Sequence, residues 1–294
     1  MTTAPSNESN PPALAEFLAA PDEAVAAVMP PTVVFSVGGT RRSAALSGIA
    51  SQSDDYARLS REWMVACFNR FFRLGVRHLF NCLVLPPQFE EVGRGRDQLY
   101  KWIEWGVTGP QALSDYAEFG WRVRIAGLDT VPELQGLNER LVAATPATWQ
   151  HTLWLYATPR RGSLWEQTLA AAQATAARSQ ADLIRALLGE DVPTAGLWIG
   201  FGKPTITQDI VPLVMIGETH CYWTQRPGYD IDEAMIRRIV YDSVYRRRTW
   251  QRDKSTRYAD IEHMRPILES PQILGIGQRV GDFWYPDYVQ DEQA

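Results

Sequence analysis

Residues 32–42 read TVVFSVGGTRR, and this stretch decides both the fold and the first candidate site. Its opening residues are β-branched or aromatic, which predicts a strand. Residues 38–40 then supply small side chains, so that backbone N–H groups can approach an anion closely in a tight turn. Arg41 and Arg42 follow with guanidinium groups that match phosphate oxygens. An ordinary surface turn with two solvated arginines explains the same residues, so the stretch needs support from the rest of the chain.

Length and composition bound the class of protein. The chain has 294 residues, a net charge of −5 and 45% hydrophobic residues. These values predict one large α/β domain over residues 13–294, preceded by a disordered Ser-, Asn- and Pro-rich tail at residues 1–12. The acidic balance argues against a nucleic-acid binder. No apolar run of membrane-spanning length and no signal-peptide pattern is visible, so we expect a soluble cytoplasmic protein without a membrane anchor.

Strand and helix patterns alternate along the chain, which predicts a parallel six-stranded sheet covered by helices on both faces. Strands are predicted at residues 32–35, 76–85, 121–126, 149–156, 195–201 and 220–224. Helices are predicted at residues 13–28, 54–74, 94–105, 110–119, 132–144, 165–188 and 230–246. The first is expected to be broken at Pro21 and to pack outside the core, and the helix at residues 165–188 is expected to break near Ser179. In the last helix, Asp230 and Glu233 would form a capping box.

Four polar stretches are predicted to meet at the carboxyl edge of this sheet, where ligands of open α/β sheets bind. They are residues 38–42, residues 54–56, residues 199–203, and an arginine-rich stretch from Arg237 through Arg246, Arg247 and Arg248 to Arg252 and Lys254. Cations near glycine-rich turns suit a diphosphate. For the arginine-rich stretch, a solvated helix end stabilised by the helix dipole is an equally good interpretation.

Several common catalytic patterns are absent from the sequence. The histidines His78, His151, His220 and His263 lack zinc-site spacing, and no GxSxG or Walker motif occurs. The cysteines Cys67, Cys82 and Cys221 lie far apart in apolar runs, so we expect buried, reduced thiols. The pair at residues 54–55 does not continue as a DDxxD metal motif and is explained as a helix cap.

Aromatic residues are abundant, with 11 Trp, 11 Tyr and 10 Phe. Core packing accounts for many of them, but ring faces would also suit a site that shelters a carbocation or a long apolar chain. Tyr56 is open to both interpretations, because it begins the apolar face of a helix and also lies nearest the predicted anion loop.

Five ordered segments resemble a known family. The strand and loop at residues 34–42 resemble the first signature of the cis-prenyltransferases, an Asp-Gly-Asn-x-Arg loop that binds an allylic diphosphate. A closer similarity is to the tuberculosinol synthases, which are diterpene synthases built on the same fold. The matches run from about Ala13 to Tyr285 and comprise Gly39-Thr40-Arg41-Arg42, Asp54-Asp55-Tyr56, Ile199-Gly200-Phe201-Gly202, Arg237-Arg238-Ile239-Val240-Tyr241-Asp242, and Gly275-Ile276-Gly277 with Phe283-Trp284-Tyr285.

The resemblance implies a (Z)-prenyl synthase fold and a diterpene synthase that ionises a bicyclic C20 allylic diphosphate and adds water to give a tertiary alcohol. It also implies a homodimer, and Mg²⁺ bound mainly through the substrate diphosphate with no protein ligand. The implied catalytic residues are Arg41, Arg42, Tyr56 and Tyr100, with Gln98 as the alternative to Tyr100. The implied substrate-binding residues are Gly38, Gly39, Thr40, Gly200, Phe201, Gly202, Arg237 and Arg238.

The sequence also departs from the family pattern. Gly38 stands where the family has its loop aspartate, and His220 stands where a late glutamate serves the metal. Residues 199–202 replace the Arg-Thr-Ser-Gly motif that holds a second diphosphate. These changes favour one diphosphate substrate over chain elongation. Two alternatives remain, a cis-prenyltransferase that elongates allylic diphosphates and a non-catalytic partner subunit.

Overall fold

A parallel six-stranded sheet forms the centre of the molecule. The computed structural model describes residues 11–36, 38–51, 53–128, 131–146, 149–247, 249, 261–270 and 273–287. The strands are β1 (Thr32–Ser36), β2 (His78–Val84), β3 (Trp121–Ala126), β4 (His151–Ala157), β5 (Ala195–Phe201) and β6 (Ile216–Thr224), in the order β3-β4-β2-β1-β5-β6. All neighbouring pairs in this sheet are parallel. The predicted α/β fold with six parallel strands is therefore confirmed.

Helices cover both faces of the sheet. They are α1 (Leu14–Ala19), α2 (Asp22–Ala26), α3 (Thr40–Leu46), α4 (Asp54–Arg73), α5 (Pro86–Phe89), α6 (Arg94–Thr108), α7 (Pro110–Glu118), α8 (Leu137–Ala144), α9 (Ser163–Thr175), α10 (Gln180–Leu188), α11 (Glu233–Tyr241) and α12 (Ile261–Leu268). Short 3₁₀ turns lie at Pro132–Leu134 and Leu213–Met215, and a π-helical turn at Asp242–Arg246 follows α11. None of the described helices is long and apolar enough to cross a membrane.

Strand β1 lies in the middle of the sheet because its residues are apolar on both faces. Val33 and Phe35 belong to the main hydrophobic cluster, and Val34 belongs to a second cluster on the opposite face. Alternate residues of a strand point to opposite faces, so one short apolar run supplies both cores. The carboxyl end of β1 is thereby held in the interior of the sheet, and the following loop lies at its edge.

The N-terminal helices correct one expectation. Residues 13–28 were expected to pack outside the core, but Phe17 and Val25 are buried members of the main cluster. The ring of Phe17 lies 5.5 Å from the ring of Tyr241, which explains why this segment is bound to α11. Residues 1–10 of the predicted tail lie outside the described residues. Pro12 is the last residue of that tail, and its carbonyl accepts a 2.8 Å hydrogen bond from Tyr241 Oη.

Helix α11 begins differently from the prediction. Asp232, not Asp230, is the N-cap, and its carboxylate accepts a 2.7 Å hydrogen bond from the backbone N–H of Met235. Glu233 pairs with Arg237 instead of closing a capping box. The predicted helix at residues 132–144 is likewise divided, because Gly136 adopts a left-handed conformation before α8. The predicted break near Ser179 is confirmed, since Ser179 caps α10.

A second, two-stranded sheet lies in the C-terminal part of the described chain. Strands β7 (Gly277–Val280) and β8 (Phe283–Pro286) pair in antiparallel fashion. Residues 281–282 form the turn between them. This unit, which we name the C-terminal hairpin, carries the predicted Phe283-Trp284-Tyr285 segment. Helix α12 precedes it in the chain and buries none of its residues.

Candidate active site

The loop after β1 leads directly into the first turn of a helix. Gly39 is the N-cap of α3 with a φ of 77°, so the chain there adopts the left-handed conformation that glycine allows. Thr40, Arg41 and Arg42 therefore lie in the first turn of α3, where the sequence predicted an irregular loop. Both arginines are exposed. The first turn of this helix presents backbone N–H groups that favour an anion.

Phe201 fits closely against both glycines of this loop. A Cβ atom placed on Gly38 would lie 2.8 Å from Phe201 Cδ1, and one on Gly39 would lie 2.9 Å from Phe201 Cζ. Because β1 and β5 are neighbours with Ser36 opposite Gly200, the two predicted segments meet at one edge. The ring of Phe201 thus fills the space that a side chain at residue 38 would occupy.

Tyr56 links helix α4 to the same loop. Its hydroxyl shares a 2.8 Å hydrogen bond with Thr40 Oγ1. Its ring meets the ring of Trp102 on α6 edge-to-face, with centroids 5.5 Å apart. Ser53 starts α4 by accepting a hydrogen bond from the backbone N–H of Tyr56, which fixes the position of that residue. The aromatic pair therefore stands beside the arginine-bearing turn.

An apolar cavity of about 490 Å³ opens beneath this loop, between the sheet and helices α4 and α6. We name it the α4–α6 cavity. Its apolar wall includes Ala57, Met64, Leu83, Leu85, Leu99, Ile103 and Val107. Its rim carries residues 38–42 with Tyr56 and Trp102. None of the described residues that line it is acidic, so the charge at its rim is positive.

One buried cation also lines this cavity. Arg61 is 7% exposed and pairs with Asp115 at 2.5 Å. Gln111 donates a 2.8 Å hydrogen bond to the same carboxylate. The charge of Arg61 is thus neutralised within the protein, in contrast to the arginines at the rim.

A second cavity of about 950 Å³ lies between the ends of β5 and β6 and the C-terminal hairpin. We name it the hairpin cavity. Its aromatic lining consists of Trp198, Phe201, Trp223, Phe283, Trp284 and Tyr285. Arg42 lines both cavities and therefore stands between them.

The two rim arginines have different neighbours. Arg41 Nη2 lies 3.5 Å from a carboxylate oxygen of Glu91. Arg42 Cζ lies 4.3 Å from the centre of the Phe283 ring and 5.4 Å from that of Phe201. One guanidinium is thus paired with an acid, whereas the other lies between two rings.

Helix α6 does not present the residue that the resemblance suggested. Tyr100 lines neither cavity and instead packs 6.3 Å from the ring of Phe89. Burial, with a smaller contribution from Glu133, raises the pKa of Tyr100. Gln98 does not line the cavities either. Trp102 is the residue that sequence reasoning missed, and its spacing of three from Leu99 would have placed both on one helix face.

The arginines of α11 also lie elsewhere. Arg237 is buried and donates to Asp22, to Glu233 and to the carbonyl of Ala20. Its guanidinium therefore binds the N-terminal segment, and its expected contact with substrate stays a prediction. Arg238 is exposed and lines neither cavity. Of the rest of the arginine-rich stretch, Arg248, Arg252 and Lys254 lie outside the described residues.

The residues at the site do not fit a protein-held magnesium ion. Residue 38 is a glycine, and the ring of Phe201 occupies the space that a side chain there would enter. His220 Nδ1 shares a 2.7 Å hydrogen bond with Ser243 Oγ on the segment after α11. Within the described ranges, no three His, Cys, Asp or Glu residues are grouped as metal ligands would be. The chain itself therefore offers cations, not carboxylates, to an anionic ligand.

The cysteines Cys67, Cys82 and Cys221 carry no disulfide, as expected. The expectation that all three are buried is wrong, because Cys82 and Cys221 are partly exposed. Burial raises the pKa of Cys82, which lines the α4–α6 cavity, to about 12. A neutral thiol adds to the apolar wall and is a poor nucleophile there.

The parallel six-stranded sheet and its covering helices have the cis-prenyltransferase fold. Two solved structures share this fold. Lavandulyl diphosphate synthase from Lavandula x intermedia, solved in complex with dimethylallyl diphosphate, matches with a TM-score of 0.55 and 16% identity over 75% of this chain and 97% of that one. A probable undecaprenyl diphosphate synthase from Campylobacter jejuni matches with a TM-score of 0.54 and 12% identity over 75% and 98%.

Sequence comparison gives the narrower relationship. The (+)-kolavelool synthase of Herpetosiphon aurantiacus is 39% identical over 282 residues, which cover 96% of this chain and 98% of that protein. The tuberculosinyl adenosine transferase of Mycobacterium tuberculosis is 32% identical over 110 residues, or 36% of each chain. No family model matches the chain. The chain belongs to the family of the (+)-kolavelool synthase, and it is a diterpene synthase with the cis-prenyltransferase fold.

Proposed function

We propose that the protein ionises a bicyclic C20 allylic diphosphate of the kolavenyl diphosphate type and adds water to the cation. The products are a tertiary diterpene alcohol resembling kolavelool and inorganic pyrophosphate. The observation that carries this proposal is the apposition of Arg41, Arg42 and Tyr56 on the rim of one apolar cavity of about 490 Å³. That volume lies within the range of about 300–1,000 Å³ that small-molecule sites occupy.

The diphosphate binds at the rim of the α4–α6 cavity. Backbone N–H groups of the first turn of α3 and the guanidinium groups of Arg41 and Arg42 supply donors and positive charge. Negative charge develops on the diphosphate as the C–O bond breaks. Cations fixed at that position stabilise the transition state more than the bound substrate, and so accelerate the step.

The hydrocarbon part lies in the apolar interior of the same cavity. The ring of Trp102 and the ring of Tyr56 stand between this interior and the rim. Aromatic faces stabilise an allylic cation without forming a bond to it. The Cys82 thiol in the lining stays protonated and is therefore a poor nucleophile toward the cation.

Water attacks the tertiary carbon of the allylic cation and loses one proton. The hydroxyl of Tyr56, held by Thr40, is the group that orients this water beside the rim. Because no acidic residue is described in the lining, the departing pyrophosphate accepts the proton. The C–O bond to the diphosphate breaks, a C–O bond to water forms, and charge is conserved. A Mg²⁺ ion bound to the substrate diphosphate would add positive charge to the leaving group at this rim.

Chain elongation is the alternative reaction for this fold. It requires a second diphosphate beside the first, and at the end of β5 this chain has Ile199, Gly200, Phe201 and Gly202 in place of the Arg-Thr-Ser-Gly motif that holds it. This difference favours hydration over elongation. The position of Arg41, Arg42 and Tyr56 around a single cavity counts against a subunit that only supports another chain.

Incubation of the purified protein with linear and bicyclic C15 and C20 diphosphates tests the proposal. Each would be supplied with and without Mg²⁺, and with labelled isopentenyl diphosphate in a parallel series. We expect a tertiary alcohol from a bicyclic C20 diphosphate, detected by mass spectrometry, and equimolar pyrophosphate. Labelled longer chains would establish elongation instead, and the absence of any product across the panel would contradict both reactions.

We also propose that the enzyme is a homodimer, as the resemblance implies. Helix α12 supports this, because it exposes the large apolar side chains of Ile261, Met264, Ile267 and Leu268. Exposed apolar side chains grouped on one short helix favour contact with another protein surface. Light scattering on the purified protein would give a mass near twice that of the chain. A mass equal to that of a single chain at micromolar concentration would contradict the dimer.

A further inference from the structure

Arg42 lies between rings that come from two distant parts of the chain. Its guanidinium carbon is 5.4 Å from the centre of the Phe201 ring on β5 and 4.3 Å from that of the Phe283 ring on β8. Phe283 is thus the nearer ring, and it belongs to the C-terminal hairpin rather than to the central sheet. Contacts of this length are within the range of cation–π interactions.

Phe283 is the first residue after the turn of the C-terminal hairpin. Val280 pairs with Phe283 at the end of the ladder, and Gly281 adopts a φ of 59° in the turn between them. Arg279 Nε donates a 2.6 Å hydrogen bond to the carbonyl of Gly281. These contacts fix the first residue of β8. Phe283 nevertheless remains 49% exposed, so burial of apolar surface does not explain why a large ring is held over a cation.

The two rim arginines are prepared for an anion in different ways. Glu91 pairs with Arg41 and competes with any ligand for that guanidinium. In the part of the chain that the structure describes, no carboxylate pairs with Arg42. Ring contacts use the face of a guanidinium group, whereas its N–H donors lie in the plane of the group. The ring contacts therefore leave the N–H donors of Arg42 to a ligand.

We propose that Phe283 is a positioning residue of the active site, and that its ring holds the Arg42 guanidinium in place for contact with the diphosphate. The C-terminal hairpin thereby becomes part of the diphosphate site, although it lies outside the central sheet. This inference rests on the proposed function, since it concerns the leaving group of that reaction. It assigns a role to a residue that lines only the hairpin cavity.

Binding of inorganic pyrophosphate to the full-length protein tests this role without the terpenoid. Titration calorimetry would compare the wild type with Phe283→Leu, Phe283→Tyr and Tyr285→Leu. We expect Phe283→Leu to weaken pyrophosphate binding about two- to fivefold, which is the factor that corresponds to an exposed cation–π contact. Phe283→Tyr keeps a ring over Arg42 and should bind as the wild type does.

Tyr285→Leu is the matched control. Tyr285 is on the same face of β8 as Phe283 and is also 49% exposed, but its ring makes none of the recorded contacts with an arginine side chain among the described residues. We expect unchanged pyrophosphate affinity. In an Arg42→Ala background, Phe283→Leu should have no further effect, because the group that it positions is gone.

Three results would overturn the assignment. They are wild-type pyrophosphate affinity in Phe283→Leu, an equal loss in Tyr285→Leu, or a loss that persists in the Arg42→Ala background. The proposed function can fail separately, since a wild-type protein that binds pyrophosphate but turns over no terpenoid would contradict the reaction and leave this inference standing. A wild-type protein that binds no pyrophosphate would contradict both.

Discussion

At the scale of single residues, Arg41 and Arg42 share one turn of α3 and one rim but have different neighbours. In the proposed mechanism each contributes charge where the leaving diphosphate becomes more negative, so removal of either should slow ionisation more than it weakens substrate binding. We predict that Arg41→Ala and Arg42→Ala each lower the rate of pyrophosphate release by about 100-fold or more. The thermal unfolding midpoint should change little, because both side chains are exposed.

Arg185→Ala supplies the matched control for these variants. Arg185 on α10 is an exposed arginine that lines neither cavity. Its removal should leave pyrophosphate release within about twofold of the wild type. Near-normal rates in both rim variants, or an equal loss in the control, would remove the α3 turn from the mechanism.

Tyr56 contributes a hydroxyl group and an aromatic ring, and one substitution can test the two separately. Tyr56→Phe keeps the ring beside Trp102 but removes the hydroxyl that bonds to Thr40. We predict that ionisation continues and that the product mixture shifts from the tertiary alcohol toward dienes formed by proton loss, because the attacking water is less well oriented. Gas chromatography with mass spectrometry would measure the ratio. An unchanged ratio of tertiary alcohol to dienes would show that the Tyr56 hydroxyl does not orient the water and that the residue serves only in packing.

At the scale of elements, the sequence pattern predicted what depends on local periodicity. The six strands and α4 follow from apolar runs, alternation and capping residues, and their bounds agree within a few residues. The pattern could not show which acid caps α11 or that Arg237 would bind Asp22, because those contacts join segments far apart in the chain. It also could not show Phe201 covering Gly38, since ring placement follows from tertiary packing.

Strand β2 begins with a buried histidine that makes the sheet sensitive to acid. His78 is 3% exposed and accepts a hydrogen bond from Trp154 Nε1 at 3.4 Å. Burial, together with the charges of Arg77 and Arg122, lowers the pKa of His78 to about 3. In the unfolded chain the pKa of histidine is about 6.5, so between these values only the unfolded state binds the proton.

We therefore predict that the free energy of unfolding falls as the pH is lowered from about 6.5 toward 3. This histidine contributes roughly 1 kcal/mol for each pH unit, and its contribution is constant above pH 6.5. Urea unfolding at pH 7.5 and pH 5 would measure the difference. His78→Gln should reduce the pH dependence, whereas His263→Gln, at an exposed position of α12, should keep it. Equal pH dependence in all three proteins would show that His78 is not the cause of the loss of stability in acid.

At the scale of the whole molecule, one sheet edge carries two cavities of different character with Arg42 between them. The α4–α6 cavity combines an apolar interior with a cationic rim, which suits a hydrocarbon attached to a diphosphate. The hairpin cavity is lined largely by aromatic rings and lies at the end of β5, where the Arg-Thr-Ser-Gly motif of chain-elongating enzymes is replaced by residues 199–202. The arrangement explains how a fold shared with prenyl diphosphate synthases can belong to a diterpene synthase.

The source of the product oxygen tests the central claim most directly. Reaction of a bicyclic C20 allylic diphosphate in ¹⁸O-labelled water would be followed by mass spectrometry of the alcohol and of the released phosphate species. If an allylic cation is hydrated, the tertiary alcohol contains one ¹⁸O atom and the pyrophosphate is unlabelled. An unlabelled primary alcohol together with ¹⁸O in phosphate or pyrophosphate would show that a P–O bond is cleaved, and would contradict the proposed mechanism.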